Sequence, residues 1–196
     1  MRSMADTSPD RSLRTDAQVR RLALLDAAAA VFSEHGVNAP LELVIERAGV
    51  GRATLYRNFP DRGALMQALM ARNLDRIEEE ALRLADRDDG LFDLLAYLAQ
   101  RIADAAPITD YWRAIDRDHP LVREAQARLG RIVRPLMQRA VAAGRCRADL
   151  VESDFLLAMG MVGALLRGHT LQQRRRLGRR ALELLFDGLR VRGEGR

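Results

Sequence analysis

The stretch LELVIERAGVGRATLYRNFP, residues 41–60, decides the fold. Leu41, Val44, Ile45 and Ala48 recur at i, i+3, i+4 and i+7, which places them on one stripe of a short helix. Gly49 follows, a residue that tolerates positive φ just past a helix end. Val50 is an apolar plug in the turn. A second helix is predicted from about Arg52 to Asn58, ending before Phe59-Pro60 because the residue before a proline is biased out of the helical region. Two short helices joined by a tight glycine-containing turn outline a helix-turn-helix.

At about 100° per residue the second helix has two sides. Leu55 and Phe59 share one direction, which is taken as the core. Arg57 then points away from it, with Ala53 and Thr54 on the same outer face. Tyr56 and Asn58 stand at the flanks, and Arg52 opens the helix. A guanidinium for guanine edges or phosphate, methyl groups for thymine, and a phenol and an amide for backbone oxygens suit a DNA major groove and its walls.

At these residues the chain resembles the DNA-binding domain of the TetR family of bacterial transcriptional regulators. The resemblance rests on Ala48-Gly49-Val50, Thr54-Leu55-Tyr56, Phe59, Asp61-Arg62 and Leu65, and it runs from Ala27–Phe32 and Gly36 to about Leu69. Three positions depart from the family pattern. Pro40-Leu41 stands where a Thr or Ser pair usually opens the first motif helix, Glu46 where Ala is usual, and Gly51 where Ser often caps the second. The resemblance implies an all-α fold of about nine helices. An N-terminal three-helix DNA-binding domain would be followed by a C-terminal helical bundle for ligand binding and dimerisation. The expected division is an arm over 1–15, a head over 16–62 and a regulatory domain over 63–196.

Composition agrees with a helical protein. The chain has 196 residues, 48% of them hydrophobic and only 5% aromatic. It holds no apolar run long enough to span a membrane. The polar N-terminus lacks the apolar core of a secretory signal and reads as a disordered arm, so the expected location is cytoplasmic. The net charge of +5 is modest and is carried mainly by residues 171–196, which hold 8 Arg against 3 acids. Residues 1–62 hold 9 Arg against 8 acids, so DNA binding is argued from the placement of Arg52 and Arg57, not from bulk charge.

Along the chain, the spacing predicts helices at about 16–35, 62–85, 91–105, 110–116, 121–143, 153–167 and 172–191, besides the two of the motif. Val19, Leu22, Leu25, Ala28, Ala29 and Phe32 form the stripe of the first. Arg14, Arg20 or Arg21 could touch phosphate or form a solvated face. Asp61 is the expected cap of the fourth helix, and Gly63 would let a backbone approach the duplex closely. Pro107 is expected to end the fifth helix and Pro135 to kink the seventh. Ser153 or Asp154 should cap the eighth, with Leu156 among its core residues. Leu177, Ala181, Leu184, Leu185, Gly188 and Leu189 form the expected stripe of the ninth, widened by Leu182 and Phe186. The last two helices are therefore apolar on more than one side. In the resembled family the corresponding pair joins its symmetry mate, which implies a homodimer through residues of about 153–192.

No catalytic constellation is present: the three histidines lie in separate segments, and no nucleophile motif occurs. Asp86, Asp88 and Asp89 lack the acidic spacing of a calcium loop, so neither metal nor cofactor is expected. Cys146 lies among arginines that could lower its pKa, or it is an inert thiol. The run Arg174-Arg175-Arg176 with Arg179 and Arg180 is either a second basic patch or the salt-bridged start of the last helix. The resemblance implies a small apolar or amphipathic effector. Tyr97, Tyr111, Trp112, His119, Met137 and Met159 are the candidates to contact it, each with ordinary core packing as the other reading.

These readings combine into a non-enzymatic, sequence-specific regulator. Its expected partner is double-stranded DNA at a pseudo-palindromic operator, bound through Arg52, Ala53, Thr54, Tyr56, Arg57, Asn58, Leu41 and Gly63. The expected action is that of a repressor released by its effector. The alternative is the same fold acting through a protein partner, without an effector.

Overall fold

The computed structural model describes residues 9–116 and 118–191, with side chains from residue 17 onward. Nine α-helices occur among them: α1 Pro9–His35, α2 Leu41–Ala48, α3 Arg52–Asn58, α4 Arg62–Arg83, α5 Gly90–Asp104, α6 Ala106–Ala114, α7 Pro120–Ala142, α8 Glu152–Val162 and α9 Leu171–Leu189. A 3-10 helix at Gly163–Arg167 follows α8, and the described residues hold no strand beyond an isolated antiparallel bridge between Cys146 and Arg190. None of these helices is long and apolar enough to cross a membrane. Backbone packing divides the chain into two units, one up to Leu69 and one from Met70.

The first unit is built on α1, α2, α3 and the start of α4. Its core holds Leu24, Val31, Phe32, Val44, Leu55, Phe59 and Met66, each at most 2% exposed. Full burial of such a side chain is worth roughly 1.5–3 kcal/mol. Two expectations about α1 are corrected. Residues 9–15, read as part of a disordered arm, are helical, and the rest of that arm, 1–8, lies outside the described residues. Proline is preorganised for a first helical turn, and no Gly or Pro interrupts the chain from there to His35. Val19 and Leu22, assigned to the core stripe, stand 59% and 44% exposed, because burial along α1 begins only at Leu24.

The second unit is centred on α5, which buries Leu91, Phe92, Leu94, Leu95, Leu98 and Ala99 against α7, α9 and the 3-10 helix. Phe92 meets Phe186 of α9 edge to face at 5.0 Å. The expected break at Pro107 falls elsewhere: α5 ends at Asp104, and Pro107 lies in the first turn of α6, where its missing N–H costs nothing. Helix α7 runs unbroken past Pro135.

The eighth helix also differs from expectation. Its N-cap is Val151, and Asp154 reaches back to accept the Val151 N–H at 2.9 Å, so neither Ser153 nor Asp154 occupies the cap. It turns into the 3-10 helix at Gly163, where the Arg113 guanidinium fills the space a Cβ would take. Thr170 and Gln173 form a reciprocal capping box at the start of α9.

Leu182, Leu185, Phe186 and Leu189 form the core side of α9. Leu177 and Leu184, expected inward, are 37% and 58% exposed, and Leu156 of α8 is 37% exposed. Both helices carry two apolar stripes, and periodicity cannot tell which one meets the core.

Candidate nucleic-acid interface

Gly49 lets the chain turn between α2 and α3. Its φ is +64°, in the left-handed region, and its N–H donates to Glu46 O while the Val50 N–H donates to Ile45 O. These bonds satisfy carbonyls that the end of α2 would leave open. Gly51 is extended and offers no capping side chain to α3. Phe59 leaves the helical region at φ −141°, and its N–H to Leu55 O bond of 2.8 Å closes α3. Asp61 caps α4 through Ala64 N–H at 2.8 Å.

This frame sorts the α3 side chains. Leu55 and Phe59 are buried, Thr54 and Asn58 are half-buried, and Arg52, Ala53, Tyr56 and Arg57 are exposed. Seven residues are too few for a stable isolated helix, so burial of Leu55 and Phe59 holds α3 in place. Arg52 lies 3.4 Å from Glu42 of α2 and 5.5 Å over the Tyr56 ring. Arg57 donates to Thr54 Oγ1 at 3.3 Å, and Asn58 Nδ2 donates to Thr54 O at 2.8 Å. The Asn58 amide is thus engaged within its own helix.

Leu41 is half-buried. Gly63 is exposed, and a Cβ there would lie 3.1 Å from Asp61 Oδ1, so this glycine leaves room for the cap. Of the α1 arginines, Arg20 is exposed, and the Arg14 side chain lies outside the described residues. Arg21 turns onto the end of α3, donating to Asn58 O at 3.2 Å with its guanidinium 4.4 Å over the Phe59 ring. A cation at the negative end of a helix is favourable. Arg62 holds two backbone carbonyls of the turn before α2. Long-range contacts of this kind leave no periodic trace, so spacing did not single out either arginine for them.

The six effector candidates of the second unit are spread over α5, α6, the start and middle of α7, and α8. Tyr97 is half-buried with Arg101 over its ring, and Arg101 forks onto Asn73 Oδ1 at 2.9 and 2.7 Å. Tyr111 and Trp112 meet edge to face at 5.3 Å, and Trp112 Nε1 is buried with no hydrogen-bond partner among the described residues. His119 is exposed and caps α7, its Nδ1 accepting the Leu121 N–H at 3.3 Å. Met137 is core and Met159 packs beside it. One open groove of about 520 Å³ runs along Leu157, Met161, Leu184 and Gly188. Another, of about 670 Å³, is lined by Arg134, Met137, Gln138, Val141, Leu150 and Val151. Only Met137 of the six touches either groove.

Cys146 is buried, and its thiol pKa is pushed up, first by burial and then by the negative charge of Asp89, against the opposing Arg190. Of the two readings of this cysteine, burial and the neighbouring Asp89 favour the inert thiol. Arg174 donates to Ala103 O at 3.0 Å, Arg175 pairs with Asp104 and Arg180 with Glu183. Three members of the basic run are thus committed within the second unit.

Comparison with known proteins agrees with this geometry. Residues 24–69 match the family model of bacterial regulatory proteins, tetR family. The HTH-type transcriptional repressor LfrR of Mycolicibacterium smegmatis is 38% identical over 104 residues, 52% of this chain and 53% of that protein. The repressor KstR of the same organism is 32% identical over 110 residues, 56% of this chain and 49% of that one. The chain thus spans about half the length of these curated relatives. The structural likeness is longer. The TetR transcriptional regulator SCO0520 from Streptomyces coelicolor superposes with a TM-score of 0.68 at 29% identity, over 88% of this chain and 99% of that one. A TetR regulatory protein from Mycobacterium vanbaalenii gives 0.68 at 28% identity, over 91% and 99%. With the A-G-V and T-L-Y residues placed on a helix-turn-helix, residues 24–69 matched to the family model and the helical fold shared over 88% of the chain, the chain belongs to the tetR family of bacterial regulatory proteins.

Proposed function

We propose that the protein is a sequence-specific DNA-binding transcriptional regulator, a repressor that leaves its operator when a small apolar or amphipathic molecule binds the second unit. The observation that carries the reading is the outer face of α3. Arg52, Ala53, Tyr56 and Arg57 are exposed together while Leu55 and Phe59 are buried beneath them. In this reading residues 16–62 read DNA and 63–196 regulate. Arg57 and Thr54 meet base edges, Tyr56 meets phosphate with Arg52 in place of the expected Asn58, whose amide donates to Thr54 O, and Leu41 and Gly63 lie beside the backbone.

The protein acts as a homodimer through α8, the 3-10 helix and α9, in the cytoplasm. The exposed Leu157, Met161, Leu177 and Leu184 support that interface, since three of them, Leu157, Met161 and Leu184, line one groove and a contiguous exposed apolar patch marks an interaction surface. A two-fold dimer presents two α3 helices to a pseudo-palindrome about one helical turn apart. The same fold without an effector, acting through a protein partner, is the second reading. It is favoured by the two open grooves of the second unit, whose linings include only Met137 of the six candidate residues.

The test is selection of bound sites from a random duplex pool at stated salt, followed by Arg57→Ala on the selected operator. A pseudo-palindrome is expected, with a loss of about 1–3 kcal/mol confined to one base position per half-site. Failure to enrich any sequence refutes the reading.

A further inference from the structure

Helix α2 begins behind Pro40 with no side-chain cap, and its entry is held locally only by the proline ring and by two turn bonds, Ala39 N–H to Gly36 O at 3.1 Å and Leu43 N–H to Pro40 O at 3.2 Å. The turn before it, residues 36–40, carries carbonyls that α2 cannot use. Arg62, the first residue of α4 and half-buried, supplies what is missing. Its Nη1 donates to Val37 O at 2.5 Å and its Nη2 to Ala39 O at 2.7 Å, while the guanidinium stacks 5.4 Å from the centre of the buried Phe32 ring. Ala39 is itself 5% exposed, so one of the two pinned residues is seated in the core. A planar fork matches two carbonyls at once, whereas an ammonium is a single point donor. Two of its five N–H groups are spent on the turn, one from each terminal nitrogen, so the plane of the guanidinium is set by the protein.

We propose that Arg62 is a positioning residue for operator recognition: it pins the turn between α1 and α2, and so holds α2 and the attached α3 at the angle the operator reads. The inference rests on the DNA-binding reading above. It predicts that charge alone at position 62 does not suffice.

The test uses R62K and R62M in the full chain. Affinity for the selected operator and for a scrambled duplex of equal length is measured across a salt series, well below the melting midpoint. Amide exchange over residues 36–48 is followed without DNA. Both variants should lose about tenfold or more on the operator, stay within about twofold on the scrambled duplex, and keep the salt slope. Exchange over 36–48 should quicken in both.

Three results overturn the proposal. R62K could bind the operator like the wild type. R62M could weaken both duplexes alike and lower the salt slope by about 0.9, the signature of a phosphate contact. The melting midpoint could fall with no change in the ratio of operator to scrambled affinity, the signature of a stability role alone. If the wild-type protein enriches no operator, the DNA-binding reading fails by itself, and exchange over 36–48 separately decides whether the clamp exists.

Discussion

Leu55→Ala tests how the reading head is held. Leu55 is fully buried, and it is the buried residue of a seven-residue helix that has no side-chain N-cap. A helix that short has no stability of its own, so its place depends on tertiary burial. The substitution removes three carbons, about 2.4 kcal/mol at ~0.8 kcal/mol for each. The cavity left behind adds to this, for a total of about 3–4 kcal/mol. For a unit of this size that corresponds to a fall in melting midpoint of roughly 15–25 °C. Trp112 is the chain's one tryptophan and lies in the second unit, so its fluorescence does not report the head. Native-state amide exchange over residues 41–59 does. Opening of that segment should become easier by about 3–4 kcal/mol. Leu82→Ala, 72% exposed on α4, should change stability by no more than about 0.5 kcal/mol. A Leu55→Ala shift below about 1 kcal/mol would refute the claim that burial of this side chain anchors α3.

Two glycines beside α3 should respond in opposite ways. Neither would meet an atom within 4 Å on gaining a Cβ, but Gly49 sits at φ +64° and Gly51 at −77°. Gly49→Ala should cost about 1–2 kcal/mol in urea unfolding, whereas Gly51→Ser should stabilise by a few tenths. Leu184→Glu, at a position 58% exposed in the protomer, should leave helicity unchanged and shift sedimentation to the monomer; a persistent dimer would place the interface elsewhere. The Glu34, Glu80, Asp149 and Glu152 carboxyls are held below their usual range by hydrogen bonds from Arg47, Arg83, Arg147 and Arg134. Carboxylates lowered in the folded state add stability above the unfolded pKa, and it is lost as pH falls through the folded one. Urea midpoints should therefore hold steady from pH 7 to about 5 and fall below about 4; a midpoint that rises on acidification would contradict those pairings.

Much of this protein was legible before any coordinates. The turn at Gly49, the end of α3 at Phe59 and the Asp61 cap follow from local chemistry: positive φ, a following proline and a short carboxylate. The buried side of α3 follows from a 3.6-residue period. Backbone sterics and side-chain spacing act over a few residues, so a linear string carries them.

Tertiary structure decided what spacing leaves degenerate. The apolar stripes of α8 and α9 are equivalent to a periodicity count, and only packing against α5 turned Leu185 and Phe186 inward and left Leu184 outside. His119, read as a possible effector contact, became the cap of α7. Cys146, flanked by arginines in sequence, lies buried near Asp89, and its thiol is pushed up instead of down. Arg21 and Arg62 gained their partners across 37 and 25 positions of chain. Burial, charge environment and carbonyl capture depend on which segments meet in space, and those meetings are set by the packing of the whole core.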